Sequence, residues 1–226
     1  MAATRSTAQA ADSPIDILLV DSRQLVRAGI ERVLVDSGYL TVCASVSGFD
    51  EAIRRARTHL PQLVLVNQPG AAVDLLDGAR KMQRQFAAMR MLVLIEPTDL
   101  ILQERLLQTG VAGMVDSDCS VDELYVAIDT VLGGERYVSN SLAQQLAQRR
   151  MPGRARTPID SLTHRELQIL LLVAGGRSAA AIARELCLTR KTVNSYRNRL
   201  LEKLHAGTDV ELMHLALRYG LVRIPG

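Results

Sequence analysis

Residues 189–206, TRKTVNSYRNRLLEKLHA, carry side chains of the types that read a polyanion. Wound as a helix at about 100° per residue, the segment puts Val193, Leu200 and Leu204 on one face, flanked by Tyr196 and Leu201. The opposite face carries Lys191, Asn194, Ser195 and Asn198. An Asn side chain can bond the edge of adenine in a bidentate way, and a Ser hydroxyl can bond several bases. Arg190, Lys191, Arg197, Arg199 and Lys203 supply positive charge for phosphates, against a single Glu202. Phosphate contacts give affinity and register, while base contacts give sequence choice. The pattern points to double-stranded DNA; a solvated helix face is the plain alternative.

Charge is distributed accordingly. Residues 151–226 hold 12 basic and 6 acidic residues, a net +6, whereas residues 1–150 hold 15 and 18, a net −3. A basic end on a slightly acidic body fits a polyanion partner for the end alone. Other chemistry is thinly represented. Cys43, Cys119 and Cys187 are scattered without metal spacing, which fits a reducing cytoplasm and no disulfide framework. His59, His164, His205 and His214 are dispersed and read as surface or packing residues. With no glycine-rich phosphate loop, nucleophile elbow or metal-spaced His/Cys set, neither an enzyme nor a metal or cofactor is expected. No apolar run approaches the ~18 residues of a membrane span, and the opening MAATRSTAQAADSP lacks the apolar stretch of a secretory signal.

The elements that must position these groups fall into two domains. IDILLV (15–20), LTVCASV (40–46), QLVLV (62–66), RMLVLI (90–95) and VAGMV (111–115) are short unbroken apolar runs, suited to strands buried on both faces. Helical spacing separates them: Val26, Ile30, Val33 and Leu34; Ala52, Ile53, Ala56 and Leu60; Leu75, Ala79, Met82 and Phe86; Leu102, Leu106 and Leu107; Leu124, Ile128, Val131 and Leu132. Five strand–helix units give a doubly wound α/β domain with a five-stranded parallel sheet over 15–134, after a flexible lead over 1–14. A helical extension and a basic, Pro/Gly-marked linker follow over 135–160. Residues 161–226 show helical patterns alone and form a second, all-α domain. Thr163 with Glu166 makes a capping box ahead of the buried stripe Leu167, Leu170, Leu171 and Ala174; Ser178 and Thr189 cap the next two helices. In the short second helix Ile182, Leu186 and Cys187 point inward. A final helix runs from about Asp209 to Gly220. A short helix, a tight turn and a longer basic helix have the shape of a helix-turn-helix.

The segment SLTHRELQILLLVAGGRSAAAIARELCLTRKTVNSYRNRLLEKLHAGTDVEL resembles the LuxR-type helix-turn-helix in its LTxRE opening, IAxxLxL, KTV core and KL close. That resemblance implies groove-facing roles for Asn194, Ser195 and Asn198, and backbone contacts from Lys191 and Thr192. It also implies that the last helix pairs two subunits, with Val210, Met213, His214 and Leu217 near a two-fold axis; simple packing onto the helix above would use the same residues. Five βα units ahead of such a domain, with LLVDSRQLVRAGIERVL and RLLQTGVAGMV, are similar to the response regulators of two-component signalling, nearest the GacA/UvrY branch of the NarL/LuxR type. The first domain would then be a flavodoxin- and CheY-like receiver. A receiver of that kind takes a phosphoryl group on an Asp at the end of the third strand. A divalent ion, a hydroxyl after the fourth strand and a Lys after the fifth assist.

The sequence departs from that pattern at nearly every position. Asp21 remains from the acidic pair but Ser22 replaces its neighbour. Asn67 stands at the phosphoacceptor position, Ile95 at the hydroxyl position, Ser117 at the Lys position and Met114 at the switch aromatic. Lys81 is the single Lys of the domain and falls in a helix, so no shift of register recovers the cation. An amide is a poor nucleophile for phosphorus, and one carboxylate holds magnesium weakly. Asp74, Asp77, Asp99, Asp116 and Asp118 read as loop and cap residues. The expected function is a phosphorylation-independent, DNA-binding transcription regulator, cytoplasmic, homodimeric and nucleoid-associated when bound to DNA. An interaction protein that heterodimerises with a related response regulator, and a conventional regulator phosphorylated on another acid, are the alternatives.

Overall fold

The computed structural model describes residues 14–67, 72–96, 100–150, 157–219 and 221–222. In the first domain β1 (Ile15–Val20), β2 (Leu40–Val46), β3 (Leu63–Asn67), β4 (Arg90–Ile95) and β5 (Gly113–Asp116) are parallel, in the spatial order β2-β1-β3-β4-β5. They alternate with α1 (Gln24–Asp36), α2 (Phe49–His59), α3 (Ala72–Gln85), α4 (Leu100–Thr109) and α5 (Val121–Leu132). The unbroken apolar runs exist because each strand residue meets a helix layer on one side or the other. Leu18, Val20, Val64, Val66, Val93 and Ile95 join one core cluster, which α2, α3 and α4 also build. Ile17, Leu19, Leu63, Leu65, Leu92 and Leu94 join the other, with α5 and Leu34 of α1. Successive residues thus serve opposite faces. The layer over the first face is tight at Gly78 of α3, where a Cβ would fall 2.1 Å from the Phe49 ring of α2.

The first domain and the helix-turn-helix differ from the sequence reading at several points. The sheet has six strands rather than five: β6 (Tyr137–Val138) pairs parallel to β5, so the domain runs past residue 134. Gly134 takes φ +95° and turns the chain back to that edge, where Tyr137 N–H donates to the Ala112 carbonyl. β2 is half-buried in its middle because it is the opposite edge strand. Among Val26, Ile30, Val33 and Leu34 of α1, Leu34 alone is fully buried and Val26 is exposed. Cys187 is exposed and takes φ +52°, because the chain reverses there into the next helix rather than continuing the short helix before it.

The helical extension is α6 (Asn140–Arg150), buried through Leu142 and Leu146. Nearly all of the expected lead, the Pro152-Gly153 part of the linker and Gly220 lie outside the described residues. The second domain starts earlier than residue 161. A 3-10 turn over Pro158–Ser161 buries Ile159 completely in its core. Then come α7 (His164–Ala174), α8 (Ala179–Glu185), α9 (Arg190–Leu204) and α10 (Asp209–Arg218). The caps read from the sequence form: Ser178 accepts from Ala181 N–H at 3.2 Å and Thr189 from Thr192 N–H at 3.1 Å.

Nine of the 11 residues of α7 are buried, far beyond the four-residue stripe of its own amphipathic pattern. α8, α9 and α10 of its own domain cover most of it, and the other domain covers a further side. His164 Nε2 lies 3.2 Å from Asp77 Oδ1 of α3, and Gln168 Nε2 donates to the same carboxylate. Arg105 of α4 donates to the Leu162 carbonyl at 2.5 Å, and Arg149 of α6 bridges Glu104 of α4 and Asp160 of the 3-10 turn. One continuous hydrophobic cluster therefore spans both domains. Asp77 is not the cap or loop residue expected of it but the centre of this seam.

Candidate functional site

The outward face of α9 presents Lys191, Asn194, Ser195, Asn198 and Arg199 to solvent, with Thr192 half-buried beside them. Val193, Leu200 and Leu204 anchor the helix from beneath and fix its rotation. The amide groups of Asn194 and Asn198 have no partner among the described residues, so their donors and acceptors are open to a ligand. Ser195 Oγ donates to the Lys191 carbonyl at 3.0 Å, which leaves its lone pairs to accept. The Arg199 guanidinium lies over the Tyr196 ring, 5.8 Å from its centroid. Two shallow hollows flank the face. One, of about 280 Å³, is lined by Lys191, Thr192, Ser195, Tyr196 and Arg199; the other, of about 260 Å³, includes Arg184, Leu188 and Arg190. Arg184 on α8 is a cation the spacing of α9 could not reveal.

Two cations expected to meet phosphate are used inside the domain instead. Arg197 pairs with Asp209 of α10 through two guanidinium nitrogens. Lys203 Nζ donates to Glu166 Oε2 at 2.8 Å. Glu166 is 3% exposed and also accepts from Thr163 N–H at 2.8 Å, completing the capping box of α7. Burial pushes its carboxyl up, but the Lys203 ammonium and the Thr163 donors outweigh burial and hold it below the ordinary 4.5. A depressed carboxyl contributes stability that is present above the ordinary value and lost as pH falls through the folded one. Urea midpoints of the wild-type chain are therefore expected to fall on acidification below about pH 4.5. In Glu166→Gln, which keeps the cap and removes the charge, that part of the fall disappears. An identical acid loss in the variant would remove Glu166 from the account.

The outer side of α10 carries Val210, 57% exposed, with His214 exposed and Met213 and Leu217 half-buried. Leu212 and Ala216 face the core and Met213 packs against it as well, so of the residues expected at a subunit contact Val210 and His214 are the exposed ones.

At the C-terminal edge of the sheet the structure brings together the residues named for the altered phosphoacceptor pocket. Asp21 follows β1, Asn67 ends β3, Ile95 ends β4, and Ser117 follows β5 with its N–H donating to the Ile95 carbonyl at 3.1 Å. Asp21 is fully buried and both of its oxygens are engaged. Asn67 Nδ2 donates to Oδ2 at 2.6 Å. Arg23 donates to Oδ1 from its backbone N–H at 2.7 Å, and its guanidinium reaches both oxygens at 3.2 Å. Arg27 donates to the Asp21 carbonyl at 2.6 Å. The neighbour Ser22 is exposed. Reading pocket positions one at a time passed over Arg23, although a cation two residues after a lone buried acid is a legible signal.

A divalent ion, which the likeness to receivers implies, does not fit these donors. Magnesium needs carboxylates free to coordinate it; here one carboxylate is neutralised by an arginine and capped by an amide, and no group of three or more potential metal-ligating side chains exists among the described residues. Asp116 does act as a turn residue, accepting from Asp118 N–H at 3.0 Å and from Ser141 Oγ at 3.2 Å. Among the described residues no helix is long and apolar enough to cross a membrane.

The model of the family "Bacterial regulatory proteins, luxR family" matches residues 160–216. The response regulator UvrY of Escherichia coli strain K12 is 38% identical over 208 residues, covering 92% of this chain and 95% of that protein. The response regulator GacA of Pseudomonas syringae pv. syringae strain B728a is 37% identical over 209 residues, covering 92% and 98%. A solved structure of two RcsB dimers bound to two parallel DNAs aligns with TM-score 0.58 at 18% identity, over 93% of this chain and all of that one.

Proposed function

The chain belongs to the response regulators of the UvrY and GacA kind, with a LuxR-family DNA-binding output domain, and from that premise we propose that it regulates transcription without a phosphoryl switch. The observation that carries this reading is the closure of the Asp21 carboxylate by Asn67 and Arg23. Phosphoryl transfer to a receiver needs a nucleophilic carboxylate and compensation of the incoming charge. At this edge the acceptor position is an amide, the hydroxyl position is Ile95, and the cation belongs to the buried acid.

DNA is bound through the outer face of α9. Asn194, Ser195 and Asn198 read bases, while Lys191, Thr192, Arg190 and Arg199 meet the backbone from both sides. A homodimer formed through Val210, Met213, His214 and Leu217 of α10 doubles that contact, and the exposure of Val210 and His214 supports it. The protein acts in the bacterial cytoplasm, on the nucleoid when bound.

Incubation of the full chain with acetyl phosphate and magnesium is expected to give no added phosphoryl mass by intact-mass measurement. DNA affinity before and after treatment is expected to be the same. A phosphorylated species that binds DNA more tightly would overturn the proposal and restore a conventional regulator.

A further inference from the structure

A cleft of about 640 Å³ lies along the seam between α3 and α7, and its charge is lopsided. Arg80, Lys81 and Arg84 line it from α3 and Arg165 from α7, with Asp77 as the one acidic residue of its lining. That acid is already bonded to His164 and Gln168. Arg80, Lys81 and Arg84 form no ion pair with any described residue. On a surface helix an acid one turn away ordinarily balances such residues. Asp77 occupies that place, three residues before Arg80 and four before Lys81, but is turned to the other domain. Arg80 and Arg84 are left as like charges at i and i+4, an arrangement that costs stability until an anion offsets it.

Arg165 is held as a wall of the cleft, donating to Gln168 Oε1 at 2.5 Å and to the Leu186 carbonyl at 3.1 Å. Guanidinium groups suit phosphate oxygens because their forked donors match them in pairs. The volume lies within the range of small-molecule pockets, about 300–1,000 Å³. The cleft is open to solvent on one side, and its volume suits a ligand of about nucleotide size.

We infer that the seam cleft binds a multiply phosphorylated small molecule of nucleotide size, its charge shared between Arg80, Lys81 and Arg84 of one domain and Arg165 of the other. Such a ligand bridges the two domains and tightens the docked arrangement that Asp77, His164 and Gln168 already hold. The site lies apart from both the Asp21 edge and the α9 face, so it stands or falls independently of the proposed function.

The test is thermal unfolding of the full chain with ATP and with inorganic tripolyphosphate, at ionic strength matched by sodium chloride. Saturating probe is expected to raise the melting temperature by about 5 °C. The double variant Arg80→Gln/Arg84→Gln is expected to lose the rise while keeping the wild-type circular dichroism, because both side chains are exposed and Gln is a good helix former. No rise in the wild type, or an equal rise in the variant, overturns the inference. It is equally overturned if the variant keeps the rise but loses affinity for duplex DNA with a shallower salt dependence, which would make the cluster a DNA contact.

Discussion

Asn194→Ala is expected to weaken binding to a selected DNA site by roughly ten- to a hundredfold while leaving affinity for unrelated duplex almost unchanged. The side chain is exposed, its amide has no partner among the described residues, and truncation leaves Val193 and Leu200 packed as before. Its loss should therefore remove the proposed base contact without disturbing the helix, and a bidentate amide–adenine pair carries about 1–3 kcal/mol of discrimination. Lys191→Ala should behave differently, weakening all sequences alike and reducing the slope of log affinity against log salt by about one. Arg197→Ala should alter stability more than DNA binding, since its guanidinium is spent on Asp209. Fluorescence anisotropy with a fragment enriched from genomic DNA, and a scrambled fragment at several salt concentrations, separates the three. A uniform loss in Asn194→Ala would remove the base-reading role of the α9 face.

Asn67→Asp is expected to destabilise the first domain at neutral pH by roughly 3 kcal/mol, lowering its melting temperature by about 10 °C. In the wild-type chain a donor of Asn67 faces an acceptor of Asp21 at 2.6 Å, with Asp21 fully buried. The substitution sets two carboxylates against each other with Arg23 to neutralise one of them, which raises the carboxyl pKa of the pair. A raised carboxyl destabilises in full above its folded value, and that cost fades as pH falls from the folded value to the ordinary one. The gap between variant and wild type should therefore narrow on acidification. The variant should also take up no phosphoryl group from acetyl phosphate, because Ile95 brings no hydroxyl and Ser117 no cation. Recovery of the lost stability in millimolar magnesium would show that Arg23 yields to a metal, and would overturn the closed-pocket reading.

Local patterning made much of this chain legible. The five apolar runs became strands because an element hydrophobic on both sides has few other places to go. The Thr163, Ser178 and Thr189 caps could be read because a cap and its partner lie three residues apart. Two-residue β6 is too short to carry a period. The spacing puts Leu60 on the buried face of α2, yet it is 73% exposed at the end of the helix, in a left-handed conformation that turns its side chain away.

The sequence by itself determined the sheet-forming strands, the capped helices, the rotation of α9 that sends Asn194 and Asn198 outward, and the amide in place of a carboxylate at residue 67. Each follows from residue type and spacing within one element. The tertiary structure alone decided which cations stay free for DNA, that Arg23 and Asn67 close over Asp21, and that α7 is buried on nearly every side. Those outcomes depend on partners far apart in the chain, Asp77 with His164 and Lys203 with Glu166 among them. Neither member of such a pair carries any local mark of the other; the interaction exists once folding has brought them together.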